Sequence, residues 1–259
     1  SRLKTLILAT ALSAAITAPV TVFAGELPSH ADLRSKLQSV VGSDNGGFET
    51  QMWAAIVDRD GVVRAVVYSG KERGDQWPGS RVIAAQKANT ANAFSLPDLA
   101  LSSGNLYAAV QPEEGSLYGL QFSNPVDVSV AYAGNAEDYG SEKDPMVGKK
   151  IGGVNVFGGG VALYAADGKL LGALGVSGDT SCADHNIAWK LRHALELDYV
   201  PAGVNEIKGK IHATDDNIVY DDVDWAHPVC SDKSREVAEK FYKTRPTRPF
   251  PGNHVRRQP

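Results

Sequence analysis

Residues 156–178 read VFGGGVALYAADGKLLGALGVSG, two apolar runs joined at Asp167-Gly168. Asp-Gly between apolar runs is a hairpin signal, because glycine enters positive φ without steric penalty and the chain can reverse within two residues. Residues 52–70, MWAAIVDRDGVVRAVVYSG, repeat the pattern around Asp60-Gly61. Aligning the two Asp-Gly pairs sets Ala55 against Ala162 and Ala65 against Gly172. Each hairpin runs into a helical pattern. A polar loop at 71–79 leads to SRVIAAQKANTANAF (80–94), where Ile83, Lys87, Thr90 and Phe94 recur every three to four residues and Ser80 is placed to cap. The second hairpin leads to SCADHNIAWKLRHALEL (181–197). Two β-β-α units of this kind predict an α+β fold, an antiparallel sheet of four strands with flanking helices.

Around these units the pattern is weaker. Leu33, Leu37 and Val40 predict a short helix within 30–42. The stretch 117–134, LYGLQFSNPVDVSVAYAG, predicts a further strand inside a long insertion at 95–150. Beyond Leu197, DNIVYDD (216–222) reads as a strand and SREVAEKFYK (234–243) as an amphipathic helix. The chain thus divides into a signal segment 1–24, a domain 25–197 and a C-terminal extension 198–259.

Arg2 and Lys4 precede an uncharged apolar stretch from Leu6 to Val22, and Val22-Phe23-Ala24 supplies small residues where a signal peptidase cuts. That grammar predicts a secretory signal and a soluble, periplasmic or secreted product starting near Gly25, with no later membrane span. An uncleaved membrane anchor is the competing reading of the same stretch. Without Arg2 and Lys4, the chain's 26 basic residues fall to 24 against 30 acidic ones, a net of −6. Such a balance argues against nucleic-acid binding. The two cysteines, Cys182 and Cys230, predict a disulfide in an exported chain, contributing on the order of 3–4 kcal/mol by loop closure. A catalytic Cys182 is the alternative.

The stretch after the second hairpin concentrates the chemistry. Ser177 lacks the G-x-S-x-G frame of a nucleophile elbow, since Gly175 has no counterpart at Asp179. Thr180 or Ser181 can cap the helix, and Asp184, three residues after Ser181, suits a capping box and the helix dipole. His185, Trp189 and Arg192 share one helix face. They could line a pocket for a flat anionic ligand, with imidazole for iron, indole for stacking and guanidinium for a carboxylate. A solvated helix face is the competing reading. His193 is turned about 80° from His185, so the two do not form a histidine metal pair. No HExxH, CxxC or EF-hand spacing occurs, and a structural metal site has no support from spacing. Gly158 to Gly160 lead into a strand rather than a helix, without phosphate-loop spacing.

Taken together, AAIVDRDGVVRAVVYSG, the Gln86-Lys87-Ala88-Asn89-Thr90-Ala91 core of the first helix, the 156–178 hairpin, and Asp184 with Ala188 resemble the HbpS-like/GlcG family, also found as the C-terminal domain of PduO. The resemblance spans roughly 30–197. It implies an α+β fold, assembly into homo-oligomers, and, as in some exported members, haem binding with proposed roles in haem capture or redox sensing. The 95–150 insertion, the cysteine pair and the C-terminal extension depart from the common core.

Three readings follow. The first is an exported haem-binding protein. Its candidate contacts to haem or another small anionic ligand are His185, Trp189, Arg192, Lys87 and Asp184, with His185 as iron ligand. The second is an enzyme acting on a small organic acid, using Lys87, Arg81 or Asp184. The third is an oligomeric signalling or structural partner without catalysis.

Overall fold

The computed structural model describes residues 25–112, 115–204, 206–207, 210–211, 215–221 and 224–251. The predicted signal segment 1–24 lies outside the described residues.

Both hairpins form. β1 (Trp53–Asp58) pairs with β2 (Val63–Tyr68), and β3 (Gly160–Tyr164) with β4 (Leu170–Ser177). Gly61 and Gly168 sit at φ of 76° and 84°, the conformation for which each Asp-Gly was read. The hairpins join through β1 and β4, antiparallel from Trp53↔Ser177 to Asp58↔Gly172, giving the order β2-β1-β4-β3. The expected four-stranded antiparallel sheet is therefore present.

Its strands bury alternate residues on opposite faces. Ala54 and Ile56 meet α1 (His30–Val41) through Leu33, Leu37 and Val40, together with Ile187, Ala188 and Leu191 of α5 (Ser181–Ala194). Trp53, Ala55 and Val57 face α2 (Ser80–Phe94), which presents Ala84, Ala85, Ala88 and Ala91. Small residues let α2 lie close on the sheet. A Cβ on Gly175 would stand 1.9 Å from the Ala84 carbonyl oxygen, so only glycine fits there. Ser80 is the first residue of α2, preceded by Gly79, and supplies no cap.

The insertion departs from expectation. Residues 117–134 form two helical turns, α3 (Leu120–Ser123) and α4 (Val128–Ala131), in place of a strand. Pro125 has no N–H to give a ladder, and the Asp127 side chain caps α4 by accepting the Ser129 N–H. Its remnant of pairing is a single bridge, Val126 to Gly152. In the C-terminal part, Glu206–Ile207 (β5) and Lys210–Ile211 (β6) make a two-stranded ribbon. The strand expected at 216–222 is, over its described residues, an irregular segment with one bridge, Val219 to Ala226. The expected amphipathic helix is α6 (Asp232–Thr244), capped by Ser231, with Ala238 and Phe241 buried. Among the described residues no helix is long and apolar enough to cross a membrane.

Candidate functional site

The start of α5 is held by its own polar groups. The Thr180 hydroxyl accepts the Ala183 N–H at 3.3 Å, and Asp184 Oδ1 accepts the Asp179 N–H at 2.8 Å. Asp184 Oδ2 receives Lys87 Nζ at 2.7 Å, and the same ammonium lies 3.3 Å from the Val176 carbonyl. Both side chains are buried, so this pair ties α5 to α2 across the end of β4. Burial pushes the Asp184 carboxyl up to about 6, with Lys87 opposing. Ser177, the last residue of β4, is buried in register with Trp53.

His185, Trp189 and Arg192 do share a face of α5, and that face is closed. The segment from Asp215 to Tyr220 and α6 lie over it. His185 Nε2 is 3.0 Å from both Asn217 Oδ1 and the Ile218 N–H. Arg192 forms a two-pronged bridge to Asp216, 2.7 Å at each nitrogen, and donates to the Ala162 carbonyl at 3.0 Å. The Trp189 indole N–H donates to the Arg245 carbonyl, and its ring stacks on Phe241 at 5.7 Å. None of the three is more than 1% exposed. The face is therefore neither solvated nor an open pocket: it is covered by backbone and side-chain groups of the extension. Burial lowers the His185 pKa to about 4 and keeps the ring neutral, and its Nδ1 has no hydrogen-bond partner among the described residues.

Open space lies across the sheet. A cleft of about 830 Å³ is walled by Trp53, Tyr68, Tyr132 and Tyr139, with Arg81 in its floor and Lys71, Glu72 and Arg73 on its rim. The Trp53 and Tyr68 rings meet edge to face at 5.3 Å. Arg81, 2% exposed, lies 3.5 Å over the Tyr139 ring, bridges to Asp144 and donates to the Ala131 carbonyl at 2.8 Å. Asp144 also accepts the Gly140 and Met146 N–H groups at 2.7 and 2.9 Å. The buried guanidinium thus ties α2 to the insertion at three residues, Ala131, Tyr139 and Asp144. Of the residues singled out from sequence, Arg81 lines this cleft; Lys87, Asp184, His185, Trp189 and Arg192 do not.

Residues 44–192, the sheet with α2 and most of α5, match the family model described as haem degrading protein HbpS-like. The chain belongs to the HbpS-like family. Similar solved structures include a haem complex of PduOC, 25% identical, covering 65% of this chain and 95% of its own with a TM-score of 0.43. The Klebsiella pneumoniae protein ORFY is 20% identical, covering 68% of this chain and 97% of its own with a TM-score of 0.43. A double mutant of Streptomyces reticuli HbpS is 15% identical, covering 71% of this chain and 97% of its own with a TM-score of 0.39. No curated protein matches the chain.

In this HbpS-like chain the matched region ends at Arg192, and the segment that closes the α5 face lies beyond it. So does the partner of Cys182. Cys182 and Cys230 form the expected disulfide, Cα to Cα 5.9 Å, tying the extension to the first turn of α5. His227 packs beside it, neutral because burial lowers its pKa to about 4. One ligand atom from each of Cys182, His227 and Cys230 falls within 4.8 Å of the others, a grouping invisible in the spacing.

Proposed function

We propose that this HbpS-like protein binds haem, or another flat anionic ligand, in the cleft between the 71–79 loop and the insertion. Family membership supports haem as the ligand. The single observation that carries the location is the cleft's chemistry: aromatic faces suit a planar apolar ring system, and Lys71 and Arg73 suit its carboxylates. A phenol can serve as an iron ligand, and Tyr132, 62% exposed, lines the cleft. The reading includes export through segment 1–24, a periplasmic or secreted place of work, self-association, and haem capture or redox sensing as the use.

A second reading keeps His185 as the iron ligand, with Trp189 and Arg192 beside it and Lys87 and Asp184 behind. Its specific motive is the buried Nδ1, which has no partner among the described residues. It requires the Asp216–Ile218 segment to leave the α5 face.

Titration of the purified protein with haemin, followed by the Soret band, separates the two. The cleft reading expects Tyr132→Ala to weaken binding and His185→Gln to leave spectrum and affinity unchanged. The opposite pair of results transfers the site to α5, and no saturable Soret change in the unaltered protein sinks both.

A further inference from the structure

Independently of the haem reading, we propose that reduction of the Cys182–Cys230 disulfide leaves a Cys2His site for a thiophilic divalent cation of the zinc class. Its ligands are Cys182, Cys230 and His227, with the fourth position open to water.

The three groups come from two segments brought together by the fold. Cys182 is the second residue of α5, and His227 and Cys230 sit three apart in the loop before α6. His227 Nδ1 lies 3.9 Å from Cys182 Sγ. Each sulfur already receives a backbone N–H: Cys182 N donates to Cys230 Sγ and Cys230 N to Cys182 Sγ, both at 3.2 Å. Reciprocal N–H···S contacts are what two neighbouring thiolates need to tolerate each other, and they orient sulfur ligands around a metal. Cys182 has the further help of a helix N-terminus. Two sulfurs and an imidazole select zinc-like ions over calcium or magnesium.

Access is one-sided. Cys182 is fully buried, whereas Cys230 is exposed. A dithiol reductant therefore attacks Cys230 Sγ, forms a mixed disulfide there and expels the Cys182 thiolate; its second thiol then closes on the first. Two electrons and two protons pass to the protein, and the dithiol leaves as its cyclic disulfide. On metal binding the two thiols release two protons, so a dication with two thiolates is neutral. The sulfurs part to about 3.8 Å for tetrahedral bonds, which the exposed loop allows and α5 need not.

His227 has two present contacts to exchange for the metal bond. Its Nδ1 now lies 2.7 Å from the Pro228 carbonyl, while Nε2 accepts the Gly158 N–H at 3.3 Å. Ligation through Nδ1 shifts the ring proton to Nε2 and gives up both contacts, since a metal-bound Nδ1 no longer donates to Pro228 and a protonated Nε2 no longer accepts from Gly158. The ring stays in place against Tyr107, 5.1 Å between centroids.

The test uses protein reduced with a phosphine, freed of reductant without air and titrated with Co2+. The expected result is one Co2+ per chain, with thiolate-to-cobalt charge transfer, the strong visible absorption of four-coordinate cobalt, and displacement by Zn2+. Disulfide-bonded protein and the Cys182→Ser/Cys230→Ser variant show neither. His227→Gln keeps the charge-transfer band but binds at least tenfold more weakly. Zn2+ should raise the thermal midpoint of reduced protein and leave that of the serine variant unmoved, which separates a site in the folded chain from thiols of an unfolded one. Equal cobalt uptake by oxidised protein overturns the proposal. So does a His227→Gln titration identical to that of the unaltered chain, or cobalt binding that appears only with loss of native circular dichroism.

Discussion

Arg192 and Asp216 meet through both guanidinium nitrogens, 2.7 Å at each, with neither side chain reached by solvent. This bridge joins the last turn of α5 to a segment 24 residues further on, and it makes the C-terminal extension part of the domain's interior. A buried pair of this kind contributes little beyond a hydrophobic one, but breaking it strands a charge. Asp216→Ala should therefore cost about 3–5 kcal/mol, read as a lower urea midpoint. Arg192→Met/Asp216→Leu should recover most of that loss. A single variant as stable as the parent would mean that the extension is not held down here.

The pH dependence of stability follows from three buried groups. His185 and His227 have folded pKa values near 4, below the ordinary 6.5, so the unfolded chain binds more protons between those values. Each therefore adds stability as pH rises from 4 to 6.5. Asp184 acts the other way: its folded value near 6 exceeds 3.8, so its contribution is largest near pH 4 and is lost as pH rises through 6. Two histidines outweigh one aspartate, and the urea midpoint should climb across this window. His185→Gln should flatten the climb. A midpoint that falls between pH 4.5 and 6.5 would reverse the balance assigned to these groups.

What the sequence made legible was local. Asp60-Gly61 and Asp167-Gly168 carry their turn chemistry with them, and Thr180 its cap, so hairpins and helix start are readable without knowing the neighbours. The 100° step likewise put His185, Trp189 and Arg192 on one face. It could not say what covers that face, because Asp216, Asn217 and Phe241 stand in no periodic relation to α5. In 117–134, Val126, Val128 and Val130 alternate like a strand, yet Pro125 and the Asp127 cap decide for a helical turn. The cleft was out of reach for the same reason: Trp53 comes from β1, Arg81 from α2, and Tyr132 and Tyr139 from the insertion. Only tertiary structure assembles them.

Close approach of α2 to the sheet gives a sharper steric prediction. A methyl group at Gly175 would overlap the Ala84 carbonyl oxygen and stand 2.5 Å from the Ala88 nitrogen, both backbone atoms that cannot rotate away. Gly175→Ala should lower stability by about 2–3 kcal/mol through forced separation of helix and strand. Gly74→Ala, where nothing lies within 4 Å of the added carbon, should change it by less than about 0.5 kcal/mol. Thermal midpoints of the two variants measure the contrast, and equal midpoints would mean that α2 does not sit at this distance.

The rim charges of the cleft should act on ligand capture more than on the fold. Lys71 and Arg73 are exposed, on a loop whose local geometry is set instead by the Asp75 carboxylate accepting the Lys71 and Glu72 N–H groups at 2.8 and 2.9 Å. Lys71→Gln/Arg73→Gln therefore keeps the loop and removes only the partners for a ligand's carboxylates. Exposed charge pairs contribute roughly 0.2–1 kcal/mol each, so haemin affinity should fall by about two- to thirtyfold for the pair. The loss should come chiefly through slower association and shrink as salt is added, because a rim charge steers an anion from a distance that salt screens. Stopped-flow haemin binding at low and high salt reads both effects. An association rate that is unchanged at low salt would take the anionic end of the ligand away from this rim.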